Sequence, residues 1–386
     1  VKVLAVDEFG RVNWQTVEAV THHPVINEDG SDTLLHVRTR TGREVRATRG
    51  ESFLKREDNK IVRLKGSDLR VGDRLPVSTV LPTRDVAAVD HLRVEDYLHP
   101  SEWLYMSHVD AALRIRENER IGWFKNLSSH GVYIPYSRGD ALLEAFIGTE
   151  KKPPKRKHST RPGCVYPANT SIKKDEDMQH LPERIPLDAD FGFLVGAYLA
   201  DGCIAIGGNK KDAAKRPYAV LICNMSQEFR ARFVSFCQRY NIGYHIDAGT
   251  RLMKSGNRSP TVSLRMHSLL MGELFMRLFG QGAEVKRIDP VLLGAPDEFL
   301  HALLDGYWSG DGCVSGTSNT MAAYSASKGM LQDIQQIMVR FGIPTSMTQM
   351  SEESYKYNVE KHRSTVRGWT LMVPACGCAR FRDIID

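Results

Sequence analysis

The sequence predicts an α+β protein, with an all-β N-terminal region and a C-terminal region built from one mixed unit used twice. Two observations carry this expectation. Over residues 1–84 apolar residues come in short runs broken by turn residues, and long helical periodicity is absent. From residue 181 an apolar motif ending in Asp-Gly-Cys occurs twice, and each copy precedes strand-like sequence and an amphipathic helix. The expected divisions are 1–84, a connecting region 85–180, and 181–386, with repeats at about 181–290 and 291–386.

In the first region the strand-like runs are Val3 to Val6, Leu34 to Arg40, Glu44 to Ala47 and Ile61 to Leu64. Glu8-Phe9-Gly10, Asn27-Glu28-Asp29-Gly30, Thr41-Gly42 and Asp58-Asn59 read as turns between them, because these residues tolerate turn dihedrals. Trp14 is expected in the core, and the adjacent His22 and His23 on the surface. The connecting region mixes short helical stretches at Val94 to Leu98 and Leu142 to Phe146 with an aromatic-rich run from Gly122 to Tyr136. Trp103 and Trp123 read as core residues rather than base-stacking groups. From about 149 to 180 the chain turns polar, basic and proline-containing, which predicts a loop or linker. Its cluster Lys151, Lys152, Lys155, Arg156 and Lys157 reads as a solvated linker in preference to a nuclear-localisation tract, with contact to DNA phosphates a further reading.

Composition narrows the classes. Hydrophobic residues make up 42% of 386 residues, enough for a buried core, and no run of about 18 uncharged apolar residues is present to span a membrane. The N-terminal Val-Lys-Val-Leu-Ala-Val-Asp lacks the layout of a signal peptide. Seven scattered cysteines make no disulfide framework, so a reducing, intracellular setting is expected. Cys376-Gly-Cys378 lacks the further ligands that a zinc site would need. A net charge of +6 permits a nucleic-acid partner without requiring one.

The repeated motif is the informative feature. Leu194-Val195-Gly196-Ala197-Tyr198-Leu199-Ala200-Asp201-Gly202-Cys203 aligns with Leu304-Asp305-Gly306-Tyr307-Trp308-Ser309-Gly310-Asp311-Gly312-Cys313. After the first copy, Phe229, Phe233, Cys237 and Tyr240 mark one face of a helix from about Ser226 to Tyr240, with Ser226 as N-cap. After the second, Leu331, Ile334, Met338 and Phe341 mark a helix from about Lys328, ended by Gly342 and followed by Pro344.

Gly196 and Ala200, like Gly306 and Gly310, lie four residues apart on one helix face. Small residues at that spacing let two helix backbones approach closely. If the copies pack together, Asp201 and Asp311 lie at adjacent helix C-termini beside backbone carbonyls such as those of Ala200 and Gly310, with Gly202 and Gly312 expected in left-handed conformations. Two such carboxylates repel unless a cation joins them, and hard oxygen donors suit Mg²⁺. Such an ion can activate water and stabilise the leaving oxygen in phosphodiester cleavage. A single Ala-Asp-Gly after an apolar run is ordinarily a plain helix end; two copies with matching glycines, aromatics and Asp-Gly-Cys favour a function.

These decamers resemble the two motif copies of a single-chain LAGLIDADG homing endonuclease, and Lys286-Arg287-Ile288-Asp289-Pro290 resembles the lysine-containing block between them. The resemblance covers about 181 to 386. It implies a monomer with a pseudo-twofold αββαββα pair whose curved sheets lie on duplex DNA. It also implies a long asymmetric target and staggered double-strand cleavage with a divalent metal: Mg²⁺, with Mn²⁺ as a substitute and Ca²⁺ binding without efficient cleavage. Asp201 and Asp311 become the metal-binding catalytic acids, and Lys286 the basic residue assisting at one strand; no counterpart is placed in the second copy. Lys210, Lys211, Lys215, Arg216, Arg251, Lys254, Arg258 and Arg265 of the first repeat, with Arg363 and Arg367 of the second, are the expected DNA contacts. An intracellular site follows, the nucleus in a eukaryote and the nucleoid in a prokaryote.

The N-terminal region has its own resemblance. Gly42 to Leu54, with Thr48, resembles a splicing block of an intein, and Asp68 to Leu75 resembles the strand pair closing that half of a Hint-type splicing domain. Glu51 stands where the family carries histidine, residue 1 is not a nucleophile, and a terminal His-Asn is missing, so splicing is not expected of this chain as written. Two rival readings are a DNA-binding relic without catalysis and a splicing element with a vestigial nuclease. Both aspartates argue against the first; the missing terminal residues argue against splicing by this chain as written, although not by a longer parent.

Overall fold

A computed structural model describes residues 2–81 apart from 8, 23 and 51, then 89–98, 104–106, 134–135, 164–167, and 181–385 apart from 208–215, 225, 253–257, 315–318 and 363–365. The expected helix at Leu142 to Phe146, the cluster at Lys151 to Lys157, Trp103, Trp123, His23 and Glu51 lie outside the described residues. The chain forms two compact units, Val1–Ala88 with Gly312–Asp386, and Val89–Asp311.

The first unit opens with three antiparallel hairpins: β1 (Lys2–Val6) with β2 (Val12–Thr16), β3 (Leu35–Arg38) with β4 (Glu44–Ala47), and β5 (Ser52–Glu57) with β6 (Lys60–Lys65). Their turns sit where the sequence marks them. Gly10 (φ 79°) and Gly42 (φ 82°) take left-handed positions, and Asp58 (φ 46°) with Asn59 (φ 61°) forms the two-residue turn that matches strand twist. Strands β2 and β5 carry weak alternation and were not expected. Trp14 is half-buried rather than in the core, because β1 and β2 form a two-stranded sheet with few neighbours to cover it. Asp68 to Leu75 forms no strand pair: a 3-10 turn covers Gly66–Asp68, Gly72 is left-handed (φ 104°), and Arg56 N to Arg74 O (2.7 Å) is the ladder-like bond made there.

The second unit begins with β7 (His91–Arg93), α1 (Val94–Tyr97), β8 (Leu104–Met106), β9 (Ile134–Pro135), β10 (Cys164–Pro167), β11 (Leu181–Pro182) and β12 (Arg184–Pro186). Strand β10 corrects the reading of 149–180 as loop throughout, since it pairs with β8 and β11. Then follow α2 (Ala189–Asp201), β13 (Gly202–Gly207), β14 (Arg216–Cys223), α3 (Gln227–Arg239), β15 (Gly243–Leu252), β16 (Arg258–His267), α4 (Leu269–Phe279) and α5 (Asp297–Asp311). The sheet has the order β13-β14-β16-β15. Along β16, Val262, Leu264 and Met266 are buried while Arg265 and His267 alternate onto the other face. Ser226 caps α3 as expected, its hydroxyl accepting from Phe229 N. The core centres on Phe191, whose ring lies 5.8 Å from Phe236, 6.2 Å from Phe275 and 6.0 Å from Phe299.

The first unit resumes with β17 (Gly312–Val314), β18 (Met321–Ser325), α6 (Lys328–Arg340), β19 (Ser346–Gln349), α7 (Glu352–His362), β20 (Trp369–Val373) and α8 (Ala375–Arg382). Its sheet order, β17-β18-β20-β19, repeats that of the first copy. Both copies therefore run αββαββα, and the second adds α7 between its last two strands. Gly342 (φ 69°) ends α6 as the sequence indicates.

Candidate metal centre and nucleic-acid interface

Helices α2 and α5 cross with their backbones in contact. A Cβ on Gly196 would lie 2.0 Å from Leu303 O and 2.7 Å from Tyr307 N; one on Gly306 would lie 2.2 Å from Phe193 O and 3.0 Å from Ala197 N. These are equivalent positions of the two decamers, so a local twofold relates the helices. Gly310 faces Ala200 Cβ, 2.6 Å from its own notional Cβ, at the end of the crossing. Gly192, against Phe299 O at 2.2 Å, extends the small-residue stripe by one turn; sequence reasoning missed it, although its four-residue spacing from Gly196 is the signal that could have found it.

The crossing brings the two acids together. Asp201 Oδ2 lies 3.2 Å from where a Cβ of Gly310 would stand, directly before Asp311. The left-handed ends expected at Gly202 and Gly312 are not formed. Gly202 has φ −82° and ψ 154°, and Gly312 opens β17, so each helix passes straight into a strand. Glycine is needed at 202 for space: a Cβ would meet Tyr198 Cδ2 at 2.3 Å and Tyr198 O at 2.5 Å.

Lys286 is 4% exposed and reaches this point from the segment after α4. Its Nζ donates to Tyr198 O (2.7 Å), Leu199 O (3.1 Å) and Ala200 O (3.5 Å), so it caps the last carbonyls of α2 and lies 4.8 Å from the Tyr198 ring centre. Tyr198 in turn donates to Gly280 O at 2.7 Å, and Arg287 N to Phe279 O at 3.0 Å, which ties the lysine segment to the end of α4. Burial lowers Lys286 to about 8, against the opposing pull of Asp311 and Asp201. Burial and the neighbouring Asp201 charge raise Asp311 to about 6, with Lys286 acting the other way. Burial also raises Asp201, again opposed by Lys286. A cation bound between the two carboxylates would relieve the burial cost and mutual repulsion that raise them.

Among the described residues no group of three or more His, Cys, Asp or Glu side chains could hold a metal. The centre offers two carboxylates and helix-end carbonyls, a hard-oxygen set that suits a cation completing its shell with water or phosphate oxygens. Of the Ala200 and Gly310 carbonyls expected to assist, Ala200 O already accepts from Lys286.

The expected DNA contacts scatter more. Arg258 is exposed at the start of β16, with Nη1 3.4 Å from Thr250 Oγ1. Arg265 is half-buried on the same strand, opposite His245. Arg216 and Arg251 fall in β14 and β15. Arg367 is engaged within its own unit, donating through Nε to Met350 O at 2.6 Å and through Nη1 to Glu352 at 2.9 Å. Lys210, Lys211, Lys215, Lys254 and Arg363 lie outside the described residues. Thr48 is half-buried just after β4. Cys376 is exposed, and the buried Cys378 has its thiol 3.5 Å from both Val373 O and Pro374 O. Sequence reasoning missed Arg232, which lies over the Phe193 ring at 4.3 Å and reaches the buried Asp305 at 3.5 Å, joining α3 to both motif helices.

Residues 298–375, within the second copy, match the LAGLIDADG-like domain. Over 94% of its length the chain is 24% identical to part of the DNA-directed RNA polymerase subunit Rpo1C of Methanocaldococcus jannaschii, and spans 34% of that protein. It is 24% identical over 89% of its length to part of the DNA polymerase II large subunit of Thermococcus kodakarensis, spanning 17% of it. The chain thus spans 34% and 17% of the length of these curated relatives. Among solved structures it is similar to I-DmoI in complex with DNA and Mn, at 12% identity and TM-score 0.37, over 52% of this chain and 97% of that one. A second is the homing endonuclease I-WcaI bound to its DNA recognition sequence, at 11% identity and TM-score 0.35, over 51% of this chain and 80% of that one.

Proposed function

We propose that the chain is a site-specific double-strand DNA endonuclease of the LAGLIDADG type, carried within an intein and acting on a long asymmetric target inside the cell. The observation that carries this reading is the backbone-to-backbone crossing of α2 and α5, which gathers Asp201, Asp311 and Lys286. A divalent ion bound there, Mg²⁺ or Mn²⁺, would supply charge neutralisation and an activated water. Asp201 and Asp311 would hold it. Lys286 keeps a positive charge beside the carboxylates and anchors the end of α2. The outer face of β13 to β16, with Arg258 and Arg265, would take the phosphate backbone. Similarity to parts of two differently named proteins, an RNA polymerase subunit and a DNA polymerase subunit, of which the chain spans 34% and 17%, supports an inserted element rather than a piece of either. Three hairpins, with Thr48 in the segment between β4 and β5, support a Hint-type N-terminal half.

The test is cleavage of a randomised duplex library with Mg²⁺, beside Ca²⁺ and the Asp201→Asn, Asp311→Asn double variant. Specific Mg²⁺-dependent cuts that the variant and Ca²⁺ fail to make are expected. Selective binding without cuts would replace this reading by a DNA-binding relic.

Two further outcomes follow. Asp311 titrates near 6, so protons compete with metal below that pH. Mn²⁺ affinity, followed by titration calorimetry without DNA, should fall as pH drops from 7 to 5, and a flat profile would remove Asp311 from the ligand set. Arg258→Ala should weaken binding across sequences and reduce the salt slope by about one; an unaltered slope would remove Arg258 from the interface.

A further inference from the structure

The β3–β4 hairpin belongs by sequence to the splicing-like region, yet it is joined to the sheet of the second repeat. Strand β19 is one of the two edge strands of that sheet. Met347 N on β19 donates to Thr41 O in the hairpin turn at 3.0 Å. Gly42 makes this approach possible: its φ of 82° suits glycine, and a Cβ there would stand 2.2 Å from Met347 O. The turn therefore satisfies and covers part of an edge that would otherwise stay open.

A second contact lies at the start of α6. Lys328 is the first residue of that helix, where the helix dipole disfavours a cation. Its partner comes from the hairpin: Lys328 Nζ lies 2.6 Å from Glu44 Oε2 and 4.7 Å from the Trp369 ring centre on β20. Glu44 also meets Arg38 at 2.6 Å and His36 at 3.2 Å, with its side chain 14% exposed. Leu81 N donates to Val339 O at 3.4 Å, a further tie from the N-terminal region to α6.

We infer that Gly42 and Glu44 are positioning residues for the second repeat, so that the β3–β4 hairpin sets the geometry of α6 and of β19 and β20, the strands with which that repeat would meet DNA. The DNA part rests on the function proposed above; the coupling of hairpin to sheet does not. The hairpin would then serve the nuclease as well as the splicing-like region in which it lies. Asp201, Asp311 and Lys286 belong to the other compact unit, so binding and bond cleavage should respond differently.

The experiment uses the full chain with Gly42→Ala, Glu44→Gln, Lys328→Gln and the last two combined. Target affinity and the single-turnover cleavage rate at saturating DNA are measured for each. Affinity should fall by roughly 2- to 30-fold, the range of coupling through packed elements. The saturated rate should hold, and the double variant should lose no more than either single one. A parallel fall in rate and affinity, or no change in either, would overturn the inference. Amide exchange of the DNA-free protein separates this failure from failure of the functional reading. Gly42→Ala should speed exchange at Met347 and leave the α2 and α5 amides alone. Faster exchange at Met347 in a protein that ignores DNA would sink the function and keep the coupling; unchanged exchange would sink the coupling itself.

Discussion

Asp311→Asn is expected to abolish DNA cleavage and to stabilise the metal-free protein. Burial and the Asp201 charge raise the Asp311 carboxyl to about 6, above its value in an unfolded chain. The sign follows from linkage: the folded state binds this proton more tightly, so stability is gained as pH falls through about 6 and is lower above it. At pH 7.5 the folded protein carries the cost of an ionised, crowded carboxylate. A rise from the ordinary carboxylate range to about 6 corresponds to about 3 kcal/mol at most. Asparagine removes that cost but also one of the two charges facing Lys286, so a net gain of about 1–2 kcal/mol is expected. Thermal unfolding in EDTA should show a midpoint a few degrees higher at pH 7.5, with the difference shrinking toward pH 5. A variant less stable than wild type at pH 7.5 would mean that the acid is there for structure. Retained cleavage would remove it from the mechanism.

The second large effect is structural. Gly196→Ala places a methyl group where Leu303 O and Tyr307 N already stand, at 2.0 and 2.7 Å. Backbone atoms cannot rotate away as a side chain would, so α2 and α5 must separate along a buried crossing. The expected cost is at least about 3 kcal/mol, with loss of cleavage even where the variant folds, because Asp201 and Asp311 move apart. Gly243→Ala is the control. Nothing lies within 4 Å of a Cβ at Gly243 and its φ is not left-handed, so that change should cost under about 1 kcal/mol. Urea denaturation of both variants decides the matter; equal midpoints would show that the helices do not meet backbone to backbone.

Both predictions concern residues that sequence reasoning had already picked out, and the reason is local. The spacing of Gly196 and Ala200, and of Gly306 and Gly310, is a property of one helix face. So are the Ser226 cap and the Gly342 terminus. Gly202 shows the limit of such reasoning. An Asp-Gly at a helix end ordinarily means a left-handed cap, but here the strand begins at once and the glycine answers to the Tyr198 ring and carbonyl. Arg367 was grouped with DNA contacts because it is basic and lies near a strand; its pairing with Met350 O and Glu352 depends on how the neighbouring helix folds back.

By itself, then, the sequence determined the duplicated unit, the acids at the ends of its two apolar helices and the hairpin turns of the N-terminal region. Those features are periodicities, caps and turn dihedrals, which act within a few residues of chain. Only the tertiary structure decided that Lys286 closes the end of a helix more than 80 residues earlier, that Arg232 clamps Asp305, and that the β3–β4 hairpin sits on the edge of a sheet some 300 residues later. Each of these depends on which buried polar group finds a partner in the folded core. That choice is made by packing among distant elements, and neighbouring residues in the chain carry no record of it.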